Sequence, residues 1–355
     1  MKGWTRSAIF LTSGVMLVTA TSIPMAGDNE QALLERAKAV FKPLPANAGT
    51  PERPLTEEKV ALGRALFFET RVSTDGKQSC GACHQPFLYG TDALARSVGN
   101  QGKILPRNVP TVFNTALQFV QHYGGNRVDV EEQAVKALVS PLAYGNKDFA
   151  AAESRLRALP YQAQFERAFP GEAQPVTAEN WGKAIGAYER TLLTPAPFDR
   201  YLQGDVQALS AEARQGLDKF MGYGCSGCHN GVTVGGQMYQ KFGLMADYWT
   251  LTGSQEIELF KGRDKGRFQD TKSEDDAFIF KVQQLRNVAA TPPYFHDGSV
   301  EKLEDAVRIM AKLQLGRDLT PEDIADIVAF LNSLTGEVPA QFASVPNLPV
   351  APYRN

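Results

Sequence analysis

The sequence predicts a mainly α protein made of two domains packed together, with few short strands. Three observations predict it. Apolar residues recur at helical spacing behind recognisable caps, and strand signals are weak and short. Two Cys-x-x-Cys-His motifs, at 80–84 and 225–229, lie too far apart for one small domain to hold both. The chain has 355 residues, enough for two ordinary domains. With 43 % hydrophobic and 21 % charged residues it has the composition of a soluble globular protein. A net charge of -2 gives no attraction for nucleic acid.

Residues 1–26 are predicted to be a cleaved export signal. Lys2 and Arg6 precede a short, mostly apolar stretch from Ala8 to Ala20, which is too short to span a bilayer. Cleavage is expected after Ala20, Ser22 or Ala26, and no later run is long and apolar enough to be a membrane span. The mature protein is therefore expected in the periplasm. The first domain is expected at 27–195 and the second at 196–336, divided by a hinge at Thr194-Pro195-Ala196-Pro197, where prolines interrupt helical patterning. Thr56 before Glu57 and Glu58 reads as a helix N-cap, and Ser210 plays the same part ahead of Cys225. The clearest helix starts at Thr320-Pro321-Glu322-Asp323, buries Ile324, Ile327, Val328, Leu331 and Leu334, and is expected to end at Gly336. Residues 337–355, with several prolines, read as an extended tail.

Four cysteines in an exported protein would ordinarily suggest two disulfides. Here Cys80, Cys83 and His84, with Cys225, Cys228 and His229, use every cysteine in two haem-attachment motifs. Two thioethers need cysteines on one turn, and the next histidine reaches the iron. Paired Cys-x-x-Cys motifs also build zinc ribbons, but a zinc ribbon gives no role to a histidine after both pairs. Two cytochrome c-like haem domains, each with a covalent c-type haem, are therefore expected. Only His122 and His296 remain as further histidines. The second axial ligands stay open among these, a methionine, another side chain and water. Taken alone, Met310 on a helix from Glu301 to Leu315 reads as a packing methionine.

From Leu66 to Leu334 the chain resembles the bacterial di-haem cytochrome c peroxidases and the related MauG proteins. The resemblance rests on Phe67-Phe68, on Pro106-Arg107-Asn108-Val109-Pro110-Thr111-Val112-Phe113-Asn114, on Asp264-Lys265-Gly266-Arg267-Phe268 and on Leu285-Arg286-Asn287. It also rests on Pro293-Tyr294-Phe295-His296 and Val307-Arg308-Ile309-Met310. It implies a peroxidatic haem on His84 and an electron-transfer haem ligated by His229 and Met310. It implies a calcium ion between them, held by the Asn108 side chain, the Thr291 and Pro293 carbonyls and water. His296 would be a structural histidine near a haem propionate.

The sequence departs from the family in three places. Asn100 stands where many members have a histidine that blocks the first iron. Gln133, Ala137 and Ala143 stand where the family keeps a glutamine, a proline and an acid–base glutamate. Tyr123 stands in place of the bridging tryptophan, preceded by His122, which reads as a distal ligand, a proton donor or a core histidine. The resemblance thus implies an open first iron poorly equipped to cleave hydrogen peroxide. The electron donor is expected to be a small periplasmic cytochrome c or copper protein, and a homodimer is expected by analogy. Two other readings stay open. One is MauG-like oxidation of tryptophan or tyrosine side chains of a protein substrate, with Tyr223 as exit point. The other is a non-enzymatic electron carrier or redox sensor.

Overall fold

The computed structural model describes Met1 and residues 26–254 and 256–350, so the expected export signal lies almost wholly outside the described residues. The chain is mainly α, as the periodicity predicts. In order, its helices are α1 (Ala26–Val40), α2 (Glu57–Phe67), α3 (Cys80–Cys83), α4 (Val130–Ala137), α5 (Phe149–Arg157), α6 (Gln162–Ala168) and α7 (Ala178–Glu189). They continue as α8 (Pro197–Leu202), α9 (Ala211–Gly222), α10 (Tyr248–Thr252), α11 (Phe268–Thr271), α12 (Leu303–Leu315) and α13 (Pro321–Asn332). Two short strands, β1 (Tyr239–Lys241) and β2 (Ile279–Lys281), pair antiparallel with Gln240 opposite Phe280.

The caps form where the sequence puts them. Thr56 Oγ1 accepts from the Lys59 amide at 3.3 Å and Ser210 Oγ from the Ala213 amide at 3.1 Å. Thr320 and Asp323 make a reciprocal capping box, with 3.1 and 3.3 Å bonds. Each satisfies amides that a helix start leaves without partners.

Two hydrophobic cores result, and they are built alike. In the first, α2 crosses α7 so closely that a Cβ added to Gly63 would lie 1.8 Å from the Ala184 carbonyl oxygen. In the second, α9 crosses α13, and a Cβ on Gly216 would lie 1.8 Å from that of Asp326. Four residues after each glycine stands a phenylalanine, Phe67 or Phe220, whose ring centroid is 6.4 Å from that of His84 or His229. Asn114 and Asn287, both left-handed at φ 61° and 63°, receive their backbone bonds from corresponding places, donating to the Leu192 and Leu334 carbonyls. The chain therefore contains one cytochrome-like unit twice, a repeat too diverged for the sequence to display.

The structure corrects two expectations about the boundaries and adds detail at the joint between them. Helix α1, expected in the first domain, gives Leu33, Leu34 and Ala37 to the second core, and Phe41 just after it joins them. Thr194-Pro195-Ala196-Pro197, the expected hinge, is tied to both halves of the chain. Thr194 is fully buried, and both Asn114 Nδ2 and Asn287 Nδ2 donate to its hydroxyl at 2.9 Å. Gly336 does not end α13, which stops at Asn332; its lack of a Cβ instead lets the chain pass 2.2 Å (from that missing atom) beside the Thr194 carbonyl oxygen. The tail runs back across the first core, burying Phe342 among Phe67, Phe113 and Tyr188. Burial of such a ring is worth about 1.5–3 kcal/mol.

Candidate haem sites and the wall between them

Each Cys-x-x-Cys-His motif forms one tight turn. The His84 amide donates to the Cys80 carbonyl at 2.9 Å, and the His229 amide to the Cys225 carbonyl at 3.0 Å. The turn puts both cysteines and the histidine of each motif at one edge of a core. All four thiols are free, and burial pushes Cys80 up to about 12 and Cys83 and Cys225 up to about 11. His84 Nδ1–H donates to the Gly90 carbonyl at 2.8 Å, which fixes the tautomer and leaves Nε2 as the lone-pair nitrogen. Burial lowers the basicity of both histidines, His229 to about 4, so both are neutral ligands at pH 7.

Beside the second motif lies an apolar cavity. Cys225, Cys228 and His229 line one side, and α12 lines the other with Leu303, Ala306, Val307, Met310, Ala311 and Gln314. That spacing is one helical face, and it centres on Met310. Helix α13 adds Ile327 and Leu331. The far wall comes from the first half of the chain, through Thr91, Asn108 and Tyr123.

The motifs that carry the resemblance meet in space. Arg107 forms a two-pronged ion pair with buried Asp264, at 2.6 and 2.8 Å, and Arg286 another with Asp199, at 2.8 Å on both prongs. Such pairs fix planar geometry as well as charge.

Comparison with known proteins agrees with this layout. The sequence profile of the di-haem cytochrome c peroxidase family matches residues 57–207. The chain is 41 % identical to the cytochrome c551 peroxidase of Pseudomonas aeruginosa, over 94 % of each. It belongs to the di-haem cytochrome c peroxidase family. It is also 33 % identical to the methylamine utilization protein MauG of Methylorubrum extorquens, over 96 % of each. Among solved structures it is similar to a MauG-like protein associated with microbial copper homeostasis, with a TM-score of 0.74 and 28 % identity, covering 85 % of this chain and 97 % of that one.

Membership of this family implies two c-type haems, and the residues fit them. Each motif presents two cysteines outside any disulfide and a neutral histidine on one turn, and the buried His296 Nε2 has no hydrogen-bond partner within the protein. His296 sits in an aromatic cage, 4.8 Å from the Phe280 ring and 5.2 Å from Tyr248, on the wall of the second cavity.

Around the first motif, Tyr144 Oη lies 3.8 Å from Cys80 Sγ, and its ring stands edge-on to Trp181. Ala137 and Ala143 pack partly buried in the same core as Cys80. Gln133 is half-buried on α4, one turn before Ala137. The Asn100 amide donates to the Leu142 carbonyl at 3.0 Å, and its side-chain oxygen accepts from Thr74 Oγ1 at 3.1 Å. Its amide group fills the space that a Cβ on Gly145 would take, 2.1 Å away. The structure thus brings the segments of Asn100 and Ala143 side by side.

Tyr123 is buried, with its hydroxyl 3.4 Å from Asn108 Oδ1 and 3.3 Å from the Phe295 carbonyl. Burial raises its pKa above that of a free phenol. His122 takes the left-handed conformation at φ 66°, and its Nδ1–H donates to Asn126 Oδ1 at 2.8 Å. Lost solvation and the nearby Arg127, Lys281 and Arg107 push it down to about 4, so it is a neutral ring. Asn108, Thr291 and Pro293 line the same cavity, Asn108 Nδ2 donating to the Leu94 carbonyl at 2.8 Å. Among the described residues no group of three His, Cys, Asp or Glu side chains could hold a metal. A calcium ion here would rest on neutral oxygens, a donor set that suits it.

Sequence reasoning missed Lys281 and Glu189. Lys281 is buried in the cavity wall, donates to Gln118 Oε1 and the Val120 carbonyl, and is pushed down to about 7 by burial. Glu189 is a buried carboxyl on α7. The signal was a charged residue inside an otherwise apolar stripe, which a search for motifs passes over.

Proposed function

We propose that this chain is a periplasmic peroxidase that reduces hydrogen peroxide at the haem of Cys80, Cys83 and His84. Electrons from a small cytochrome or copper protein enter at the haem of Cys225, Cys228, His229 and Met310. The observation that carries the reading is the shared wall: the cavity holding His229 and Met310 is closed by Thr91, Asn108 and Tyr123 from the half that carries His84. The haems, when bound, supply the one-electron steps and the iron that takes peroxide.

The chain's residues do the rest. Gly90 holds the His84 ring by Nδ1, so that Nε2 is presented in one orientation. Met310, on the inward face of α12, lines the same cavity as His229 and would complete the second site. Tyr123 keeps its proton, because an amide oxygen and a carbonyl are its nearest acceptors and neither is a base. It serves as a close-packed ring between the halves. Asn108, Thr291 and Pro293 would hold calcium in the same wall.

Proton handling is the weak point of the first site. Asn100 leaves its iron without the family's blocking histidine, while Ala143 leaves it without the family's carboxyl. Gln133 offers only a neutral amide, and neutral His122 is a candidate to move a proton between the two peroxide oxygens. Loss of an acid–base group costs roughly 10²- to 10⁴-fold in rate. Oxidised protein should therefore react with peroxide without prior reduction, yet turn over slowly with a small cytochrome, and Ala143→Glu should speed turnover. Stopped-flow mixing of oxidised protein with millimolar peroxide tests this. No spectral change would overturn it and favour a di-haem carrier or sensor.

A second reading, oxidation of a protein substrate, is favoured by Tyr223. This half-buried ring stands two residues before Cys225, donates to Asp323 at 3.0 Å, and lies 4.6 Å from the Arg317 guanidinium. It has the ready proton acceptor that Tyr123 lacks.

A further inference from the structure

The repeat shows where the two haem walls differ. Ala184 and Asp326 are equivalent through their contacts with Gly63 and Gly216, and Tyr188 and Phe330 follow them in the same contacts. One residue further on, Glu189 corresponds to Leu331. Leu331 lines the second cavity together with Ile327, which corresponds to Ile185. Trp181, Ile185 and Glu189 make one stripe of α7. Trp181 packs on Tyr144, whose hydroxyl touches Cys80, and Glu189 is itself within electrostatic reach of Cys80. Glu189 is thus a carboxyl where its counterpart is an apolar haem-wall residue.

The charged groups around it leave it without a partner. Glu131, on α4, accepts from Arg190 at 2.7 and 3.0 Å, and Arg53 is held by Asp129 at 2.5 Å with Glu131 at 3.8 Å, so both nearby arginines are engaged by other carboxylates. Cys80 from α3, a thioether once haem is attached, Tyr144 beyond it and Tyr188 on α7 itself are the other polar groups on that side, and none of them carries a positive charge. No hydrogen bond or ion pair reaches the Glu189 carboxyl among the described residues, although its side chain is about 95 % buried.

We propose that Glu189 is the redox-linked proton site of the His84 haem: it takes up one proton from solvent when one electron enters that haem, and releases it when the electron leaves. The inference rests on the reading that both motifs carry haem. Burial and the Glu131 charge together push Glu189 up to about 8, with Arg190 opposing, so both of its protonation states are within reach near neutral pH. A carboxylate on the haem wall favours the oxidised iron, and protonation removes that preference. The potential should therefore fall as pH rises between the pKa of the oxidised and that of the reduced state.

The test is a spectroelectrochemical titration of the holoprotein, with an added one-electron reductant and mediators, from mildly acidic to mildly alkaline pH. Intact mass first establishes that two haems are attached; a shortfall would refute the haem reading itself. In the wild type, the equilibrium constant for reducing the His84 haem should change up to tenfold per pH unit, about 59 mV for one electron. Glu189→Gln, and Glu189→Leu copying Leu331, should lose that slope, leaving the His229 haem unchanged. Two haems with an undiminished slope in both variants would overturn the proposal. Infrared difference spectra of wild-type protein carrying carbon-13 glutamate need no variant. A protonated-glutamate band should grow on reduction of the His84 haem, and its absence would overturn the proposal as well.

Discussion

Met310 gives the sharpest test of the second site, because packing and ligation predict effects of different size. It lies half-buried on the cavity face of α12 and packs against Tyr248, Trp249 and Leu313. Truncating a core methionine to alanine costs about 2–5 kcal/mol, and a half-buried one belongs at the low end, about 2 kcal/mol. If packing were its whole role, Met310→Ala would lower Tm by a few degrees. Even if all 2 kcal/mol fell on one oxidation state, the one-electron potential would move by only about 90 mV. Axial ligands set haem potentials over about 0.8 V, and methionine lies above histidine. Met310→His should therefore lower the potential of the His229 haem by well over about 100 mV while keeping it six-coordinate. Met310→Ala should open a coordination position, visible in the electronic spectrum. Potentiometry of the two variants beside a thermal melt separates the cases. A lowered Tm with unchanged spectrum and potentials would return Met310 to the core.

Two further predictions follow from the joint architecture. Gly63→Ala and Gly216→Ala, each driving a methyl into a carbonyl 1.8 Å away, should each destabilise by about 1–3 kcal/mol and sum in the double variant. Denaturant unfolding checks this, and a single sensitive glycine would break the equivalence of the two units. Metal analysis after dialysis should find one calcium per chain, lost in Asn108→Ala and kept in Asn108→Asp; dialysed wild type without calcium would remove the calcium site.

Much of this was legible in the sequence because it rests on local chemistry. Thr56, Ser210 and Thr320 announce their helices since a cap is a bond between near neighbours. The haem turns are equally local, being set by five consecutive residues. What could not be read is long-range. Nothing near Leu33 or Phe41 says that α1 will pack with α8 rather than with the helices that follow it. Gly336 looked like a helix stop because glycine favours both stops and close approaches, and only the Thr194 carbonyl decides between them. The partners of Thr194 are equally long-range: prolines mark where a helix ends, but nothing near them says that Asn114 and Asn287 will both bond the Thr194 hydroxyl.

The repeat explains how one architecture serves two different haems. Backbone features are shared: a glycine crossing, a phenylalanine beside the histidine, and a left-handed asparagine bonded to Thr194. These set where a haem can sit, and they cannot vary without loss of the crossing. The walls carry the differences. In the second unit α12 brings Met310, and α13 brings Leu331, both apolar. In the first unit, on the proposed reading, the matching wall would be formed by the adjoining loops of Asn100 and Ala143, with neither charge nor ligand at those two positions, and by α7 with its buried Glu189. A soft thioether and an apolar wall suit a site that passes electrons with little change in protonation. A wall with one carboxyl suits a site where reduction consumes protons. Because Asn114 and Asn287 both hold Thr194, the two units share a joint, and the wall that separates them contains Tyr123 and Asn108 from the first. On the proposed reading, division of labour between the haems would reside in a handful of side chains on a duplicated frame.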